Sequence, residues 1–193
     1  MARNKAFDEI EVLDKAVELF WTKGYNTTSA NDLVDGLGLS RSSLYDTYGD
    51  KRSLFIKALK RYKHEFADGA IKMFQETEDV KETISIVLQL IIDQDSFAIH
   101  PKGCFIVNTA TELSGSDSEI GTIIEANRLD FEKAIEEAFL REQQSGQISS
   151  KQDAKALARY FINIFFGLRV SIKANNNPKI LKDIVKVSLS VLE

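Results

Sequence analysis

Apolar side chains recur every three or four positions along most of this sequence, and that spacing constrains its fold more than any other feature. A repeat of this period places the apolar residues on one face of an α-helix. The alternating pattern that strands require does not compete with it in any segment. The 193 residues include only two prolines and ten glycines. The sequence therefore predicts an all-α fold, long enough to bury a sizeable core.

The apolar spacing in the N-terminal part of the sequence predicts two amphipathic helices. The first has an apolar stripe and a typical glycine stop at Gly24, and the stripe consists of Ile10, Leu13, Val17 and Phe20. The second begins after Thr28 or Ser29, either of which can act as the N-cap. Its inward positions are predicted to be Leu33, Val34 and Leu37.

A third helix follows immediately, between Gly38 and Gly49. Ser40 is its predicted N-cap, and it packs inward mainly through Leu44. Asp50 then caps a fourth helix, whose apolar stripe continues as far as Phe74. Two short helices joined by a tight turn form a helix-turn-helix, whose second helix enters a DNA major groove. Such a helix has a polar outer face, as the third helix has.

The remaining sequence predicts a helical body that forms dimers. Residues 83–92 are apolar on almost every side, which predicts a helix surrounded by others. Further helices are predicted near 103–115, from Ser118, over 153–173 and after Pro178. The last two have apolar faces too broad for one packing partner, which predicts a homodimer. The candidate interface residues are Phe166, Val170, Leu181, Ile184, Val185 and Ser188.

Charge and cysteine content narrow the possible functions. The net charge is −4, but residues 1–62 hold ten basic against nine acidic side chains, so the acidity belongs to the second part. A DNA contact must therefore depend on where single charges lie. Cys104 is the only cysteine and the two histidines are isolated, so we expect no disulfide, metal or cofactor. The absence of a secretory signal or membrane-spanning segment predicts a cytosolic protein.

Several motifs resemble the TetR family of bacterial transcriptional repressors. They are A-x-x-L-F-W-x-K-G-Y-N-T-T-S, D-L-V-D-G-L-G-L-S-R-S-S-L-Y and Y-G-D-K-R-S-L-F, with weaker matches at 101–113 and 165–170. The resemblance implies a nine-helix, Ω-shaped homodimer that binds a palindromic operator and a small-molecule effector. It implies a DNA-binding domain over residues 1–50 and an effector-binding and dimerisation domain over residues 51–193, connected by the fourth helix.

The resemblance also implies a set of DNA contacts. Lys51 would face a phosphate at the start of the fourth helix, and Arg41 would donate to a guanine or a phosphate. The other candidates are Thr28, Ser29, Asn31, Ser42, Ser43, Tyr45, Asp46, Thr47 and Tyr48. Plain surface positions are the alternative for the polar residues of the third helix, and a solvated lysine is the alternative for Lys51. Capping is compatible with a phosphate contact at the start of the second helix, and a core role is the alternative for one of the two tyrosines.

Three of these candidates need separate expectations. Asp46 is unusual in a DNA-facing helix and would accept a hydrogen bond from a cytosine amine. Tyr48 is expected to pack partly against the first helix, whereas Tyr45 matches a family position that touches the DNA backbone. Asn31 stands where relatives often carry a basic residue, which weakens the case for a DNA contact there.

Aromatic walls with a few polar groups suit a small amphiphilic effector. The candidate pocket residues are Phe97, Phe105, Asn108, Glu112, Asn127, Phe131 and Phe165, most of whose aromatic members could equally be ordinary core. Cys104 begins a helix close to Lys102, so it is either a redox sensor or a small buried residue.

The sequence leaves two functions open. The first is a ligand-responsive, dimeric DNA-binding repressor. The second is a helical small-molecule or redox sensor with little operator-specific DNA binding. The polar face formed by Arg41, Ser42 and Ser43, together with Lys51, favours the first. An enzyme is not expected, because no cluster of titratable groups is found.

Overall fold

A computed structural model describes residues 7–95, 102–175 and 177–192, and within these ranges the chain forms nine helices and no strand. The prediction of an all-α fold is confirmed. In chain order, the helices are α1 (Glu9–Lys23), α2 (Ala30–Leu37), α3 (Arg41–Tyr48), α4 (51–76), α5 (Val80–Asp95), α6 (Phe105–Leu113), α7 (Ser118–Ser145), α8 (Ala154–Ala174) and α9 (Pro178–Leu189).

The first four helices begin at polar N-cap residues, whose side-chain oxygens accept hydrogen bonds from the free backbone N–H groups of the first turn. Ser40 accepts a hydrogen bond from the backbone N–H of Ser43, and Asp50 accepts one from that of Ser53. Gly24 ends α1 with a φ of 83°, a conformation that residues with a Cβ rarely adopt. The predicted caps and glycine stops around α3 are confirmed.

Helix α4 is not α-helical throughout. Two α-helical stretches, Lys51–Tyr62 and Asp68–Glu76, are joined by a π-helical stretch, Lys63–Ala67. Short π-helical insertions of this kind are rare and occur frequently at functional sites. The prediction that this helix continues as far as Phe74 is confirmed, but nothing in its apolar spacing indicated the π-helical stretch.

The buried side chains form two cores that share α4. The first core joins α1, α2, α3 and the beginning of α4 to α6. The second joins the end of α4 to α5, α7, α8 and α9. Because the first core continues from α1 into α4, it crosses the predicted domain boundary at residue 50. The division into residues 1–50 and 51–193 stays a prediction.

Two predicted apolar faces are wrong in part. Ile10 is exposed, and α1 instead buries Val12 and Ala16 next to Val17 and Phe20. In α5, Ile86 and Leu90 are exposed, so this helix is covered on one side rather than all round. A three- or four-residue spacing identifies an apolar helix, but it does not decide how wide the covered arc is.

The predicted dimer face on α8 and α9 is also corrected. The side chains of Leu181 and Ser188 are buried within their own chain, and the Ser188 hydroxyl donates to the carbonyl of Ile184. They have almost no accessible surface left for a second protomer to cover. Val170 remains exposed, while Ile184 and Val185 are half-buried. Two further exposed apolar residues in α9 that the prediction missed are Ile180 and Val187.

An ion-pair cluster joins the start of α4 to the start of α7. The Arg52 guanidinium donates to both carboxylate oxygens of Asp117, at 2.6 and 2.9 Å, and to Glu119 at 2.8 Å. Asp117 is also the N-cap of α7, where it accepts the backbone N–H of Ile120. Arg52 therefore connects the helix-turn-helix part to the helical body.

The Arg52 guanidinium lowers the pKa of the Asp117 carboxyl to about 2, whereas an unfolded Asp titrates near 4. A lowered folded pKa stabilises the fold above about pH 4, and this contribution is lost as the pH falls towards 2. We expect Asp117→Asn, which keeps an N-cap, to be less stable than the wild type at pH 7. The difference should shrink below pH 4 in urea unfolding monitored by circular dichroism.

Asp183→Asn, at an exposed position in α9, is the matched control. A destabilisation by Asp117→Asn that is the same at pH 7 and pH 3 would contradict the assignment of this stability to the ion pair.

Candidate DNA interface and effector pocket

Helix α2 begins with a capping box. Ser29 accepts the N–H of Asp32, and the Asp32 carboxylate accepts the N–H of Ser29 in return. Lys23 donates to the same carboxylate at 2.5 Å, and this hydrogen bond is the main reason why the Asp32 pKa is lowered. Thr28 is only 1% exposed and donates to the carbonyl of Gly24. The structure therefore removes Thr28 from the candidate DNA surface.

The exposed start of α3 carries an ordered arginine. The Arg41 Nη2 atom donates to Asn31 Oδ1 at 2.9 Å, and both side chains are exposed. Ser40, Ser42 and Ser43 form a separate group of hydroxyls, with Oγ distances from Ser40 of 3.1 and 2.9 Å. Asn31 thus holds the guanidinium on the outer face of the helix-turn-helix, a role that the sequence analysis did not predict.

The far end of α3 is partly in the core. Tyr48 is 3% exposed, and its hydroxyl has no hydrogen-bond partner among the described residues. Its place in the core rather than on the surface corrects its assignment as a DNA contact. Tyr45 is half-buried against the first core, and Thr47 is half-buried as well. Asp46 is exposed.

Lys51 occupies the first position of α4. Its ammonium lies 4.4 Å from the centre of the Tyr25 ring, within the range of a cation–π contact. Burial, followed by the nearby Asp50 carboxylate, raises the Tyr25 pKa. This ring holds the Lys51 side chain next to the turn between α1 and α2, and Lys51 as a whole is half-buried.

Glu112 supports that same turn from the other side. Its carboxylate accepts the backbone N–H of Tyr25 at 3.0 Å and that of Asn26 at 2.7 Å. A Cβ at Gly24 would lie 3.1 Å from Glu112 Oε2, so a side chain there would crowd this contact. The Glu112 carboxylate therefore anchors the helix-turn-helix to α6, and this contact does not support its assignment to the effector pocket.

A small cavity lies between α4, α5, α6, α7 and α8. Three of the predicted pocket residues, Asn127, Phe131 and Phe165, contribute to its lining. Its volume is about 60 Å³. The remaining lining residues are Tyr62, Phe66, Ala67, Ala70, Ile71, Val87, Ile91, Cys104, Ile106, Phe166 and Arg169. Phe166, predicted at the dimer interface, is thus part of the pocket wall.

Two other predicted pocket residues lie elsewhere. Phe105 is in the first core, where its ring packs edge-on against Phe55 and Tyr62, each at 5.5 Å between centres. The Asn108 amide donates to the carbonyl of Lys102 at 2.9 Å and does not line the cavity. Phe97 lies outside the described residues.

Cys104 lies next to the cavity as the N-cap residue of α6. Its thiol is buried, and the sulfur accepts a hydrogen bond from the Tyr62 hydroxyl at 3.7 Å. Burial, followed by the proximity of Cys104, raises the pKa of Tyr62. The thiol is therefore packed and partnered, which favours the buried-residue alternative of the sequence analysis over the redox sensor.

The α4 side of the pocket was missed by the sequence analysis. Tyr62 and Phe66 are on the apolar stripe that the sequence showed, but that stripe alone does not separate pocket lining from core. Ala67 and Ala70 gave no signal, because small apolar residues are ordinary in helices. Ala67 ends the π-helical stretch, and Ala70 lies one turn further along α4.

A polar, arginine-bearing helix presented by a helix-turn-helix, followed by a helical body that contains a small cavity, is typical of a DNA-binding regulator. Residues 12–58 match the family model of the "Bacterial regulatory proteins, tetR family". Residues 85–187 match the family model of the "Tetracyclin repressor-like, C-terminal domain". The chain belongs to the TetR family of transcriptional regulators, whose members are not enzymes.

Two curated relatives match nearly the whole chain. The chain is 36% identical over 194 residues to the uncharacterised HTH-type transcriptional regulator YezE of Bacillus subtilis (strain 168), with 100% of both proteins covered. It is 29% identical over 188 residues to the HTH-type transcriptional repressor ComR of Escherichia coli (strain K12), with 97% of this chain and 90% of ComR covered.

Solved structures share the fold. A cysteine-substituted form of the TetR family regulator CifR, in complex with 26-base-pair operator DNA, superimposes with a TM-score of 0.87 at 23% identity, covering 100% of both chains. The reduced form of NemR from E. coli superimposes with a TM-score of 0.81 at 14% identity over 92% of this chain and 93% of NemR.

The described residues contain neither a membrane-spanning helix nor a metal-binding cluster. No helix there is sufficiently long and apolar to cross a membrane. No group of three or more His, Cys, Asp or Glu side chains there is arranged to hold a metal ion.

We expect Glu112→Gln to destabilise the protein by about 1–2 kcal/mol, because a neutral amide offers one weaker acceptor to two backbone donors. Urea unfolding measures this free energy. Hydrogen exchange should speed up at the amides of Tyr25 and Asn26. Glu137→Gln, which removes an exposed carboxylate in α7, is the control and should leave both quantities unchanged. Unaltered exchange at the two amides would show that Glu112 does not hold the turn.

Proposed function

We propose that this protein is a homodimeric repressor that binds a palindromic operator and releases it when a small molecule enters the cavity beside α4. The observation that carries the proposal is the Arg41 guanidinium, fixed by Asn31 on the exposed face of α3. A helix-turn-helix places this helix in the major groove. Related proteins support the proposal, since ComR is a repressor by name and CifR forms a complex with operator DNA.

Arg41 is suited to reading a base. A guanidinium has five N–H donors, and the contact with Asn31 uses one of them. The others can form the bidentate contact with guanine O6 and N7 that discriminates by about 1–3 kcal/mol. Because Asn31 already restricts the side chain, less rotamer entropy is lost on binding. Asp46 lies further along α3. Its carboxylate would accept a hydrogen bond from the amine of a cytosine.

The phosphate contacts are assigned to residues around Arg41. Lys51 lies at the N-terminus of α4, where the helix dipole also favours an anion. Ser29 is the N-cap of α2. Tyr45 and Thr47 in α3 are half-buried, so part of each side chain is accessible to the DNA backbone. Ser42 and Ser43 are small, so α3 can approach the base edges closely. These contacts fix the position of the helix without reading sequence.

The dimer is assigned to α8 and α9. Val170 and Val187 are exposed, with Ile184 and Val185 half-buried beside them. An apolar face of this kind on two neighbouring helices can form a four-helix bundle with the same face of a second copy. A two-fold axis through this bundle relates two copies of α3, which explains a palindromic operator.

Ligand response is assigned to α4. The cavity is bounded on one side by this helix, and the same helix carries Lys51 at its start. A ligand that requires a wider cavity binds better to a conformation in which α4 has moved. It lowers operator affinity by the ratio of its affinities for the two conformations.

A matched set of variants tests the DNA contacts. We expect Lys51→Ala to weaken binding to all DNA sequences alike and to reduce the salt slope of log K by about one. Arg41→Ala should instead cost about 1–3 kcal/mol on operator DNA and little on scrambled DNA. Lys72→Ala, an exposed lysine in the second stretch of α4, is the control. Fluorescence anisotropy with DNA from upstream of the protein's own gene, over a salt series, measures these affinities.

Equal affinity for that DNA and for scrambled DNA, in the wild type, would contradict operator recognition. It would favour the alternative of a helical sensor without specific DNA binding. If Asn31→Ala leaves the specificity unchanged while Arg41→Ala removes it, Asn31 does not position the arginine.

The dimer face has its own test. Val187→Glu places a charge on the exposed apolar face, and we expect it to raise the dimer dissociation constant by at least tenfold. Size-exclusion chromatography with light scattering, over a dilution series, measures this constant. Ile10→Glu, at another exposed apolar position in α1, is the control and should not change it. A monomeric wild type, or a dimer unaffected by Val187→Glu, would contradict the assignment.

A further inference from the structure

The cavity beside α4 contains a polar atom with an incomplete environment. Asn127 is 5% exposed, lines the cavity from α7, and its Oδ1 atom has no hydrogen-bond partner among the described residues. Nearly all buried polar groups in folded proteins are paired, so an orphan acceptor requires an explanation. An acceptor left open beside a cavity indicates that the cavity is completed by a group that donates a hydrogen bond.

The walls next to Asn127 are aromatic. The rings of Phe131 and Phe165 are nearly parallel, with centres 5.8 Å apart, and Phe74 packs edge-on against Phe131 at 5.7 Å. Flat aromatic molecules are the ligands that such rings stack with or contact edge-on. This part of the cavity therefore selects for a planar ring, and Asn127 selects for a donor on that ring.

The charges at the cavity select against cations. Arg169 is the charged residue among the described residues of its lining, which include no carboxylate. A positively charged ligand would lose its hydration without a carboxylate among these lining residues to pair with. A neutral ligand avoids this cost.

The size of the cavity limits the ligand further. Its volume of about 60 Å³ is below the roughly 150 Å³ of a protein cavity that binds benzene. Even a single ring must therefore push the walls apart when it binds. Tyr62 and Ala67 are among the wall residues contributed by α4, in and beside the π-helical stretch.

We propose that the ligand of this cavity is a small, neutral aromatic molecule with one hydrogen-bond donor, of the phenol class. Its hydroxyl donates to Asn127 Oδ1, and its ring packs against Phe131 and Phe165. This inference rests on the proposed function, because it names the chemistry of the effector. It adds that the donor, and not apolarity alone, is what the cavity recognises.

Phenol and toluene are the probes, since they differ only in a hydroxyl and a methyl group of similar size. We expect phenol to bind the full-length protein about fivefold more tightly than toluene, the factor that corresponds to the usual net contribution of one hydrogen bond. Benzylammonium should bind more weakly than either. Ligand-observed NMR titrations with competition between the probes measure these affinities.

Asn127→Leu replaces the orphan acceptor with an apolar side chain of similar size. We expect the preference for phenol to disappear, while toluene binds at least as well as before. The variant should be no less stable than the wild type, because it removes an unsatisfied buried group. Asn108→Leu is the matched control: its amide is hydrogen-bonded outside the cavity, so the preference for phenol should remain.

The outcomes separate the inference from the proposed function. Equal binding of phenol and toluene by the wild type overturns the proposed donor recognition, and so does a preference that survives in Asn127→Leu. If neither probe binds, the inference is also overturned. Operator affinity measured without ligand on the same preparation reports separately on DNA recognition, and its salt dependence is unaffected by the result for the cavity.

Discussion

The arrangement of the helix-turn-helix part and the helical body depends on the packing of the Phe55 ring. It packs edge-on against Phe20 of α1 at 5.0 Å, against Tyr25 in the following turn at 4.9 Å and against Phe105 of α6 at 5.5 Å. Edge-to-face geometry is directional, so it restricts orientation as well as distance. One side chain of α4 thereby joins the DNA-binding helices to the helical body.

Polar contacts surround this aromatic centre and act on the same elements. Glu112 holds the backbone of the α1–α2 turn from α6, and Arg52 holds α7 from the start of α4. Neither contact is made by the residues assigned to DNA. They instead hold in place the elements that carry those residues. In the ligand response that we propose, a displacement of α4 would reach the DNA-binding helices through these contacts, and coupling energies of about 1–3 kcal/mol are typical of such regulation.

Much of the fold follows from local rules in the sequence, because helix spacing, serine and aspartate caps and glycine stops act over a few residues. The start of α3 at Ser40 and its end at Gly49 are of this type. Contacts between residues that are distant in the sequence do not follow from such local rules. Glu112 meets an amide 86 positions earlier, and its residue type alone is equally compatible with a pocket.

The division of apolar residues between core and interface is also beyond a single sequence. Leu181 and Val187 have the same character and both lie in α9, yet the first is fully buried by its own chain and the second is the most exposed large apolar residue described. Which of them is covered depends on the rotation of α9 against α8 and α5. That rotation results from the packing of three helices together, for which spacing along one helix carries no information.

The π-helical stretch Lys63–Ala67 has a consequence for the whole of α4. A π-helical turn accommodates one residue more than an α-helical turn, and one residue corresponds to about 100° around a helix. The two ends of α4 are therefore out of phase with each other, and each can face its own core although a single axis runs through both. If the π-helical stretch changed to an α-helical one, α4 would turn one core-facing surface relative to the other. The helix can thus convert a local change of hydrogen bonding beside the cavity into a rotation at its DNA-proximal end.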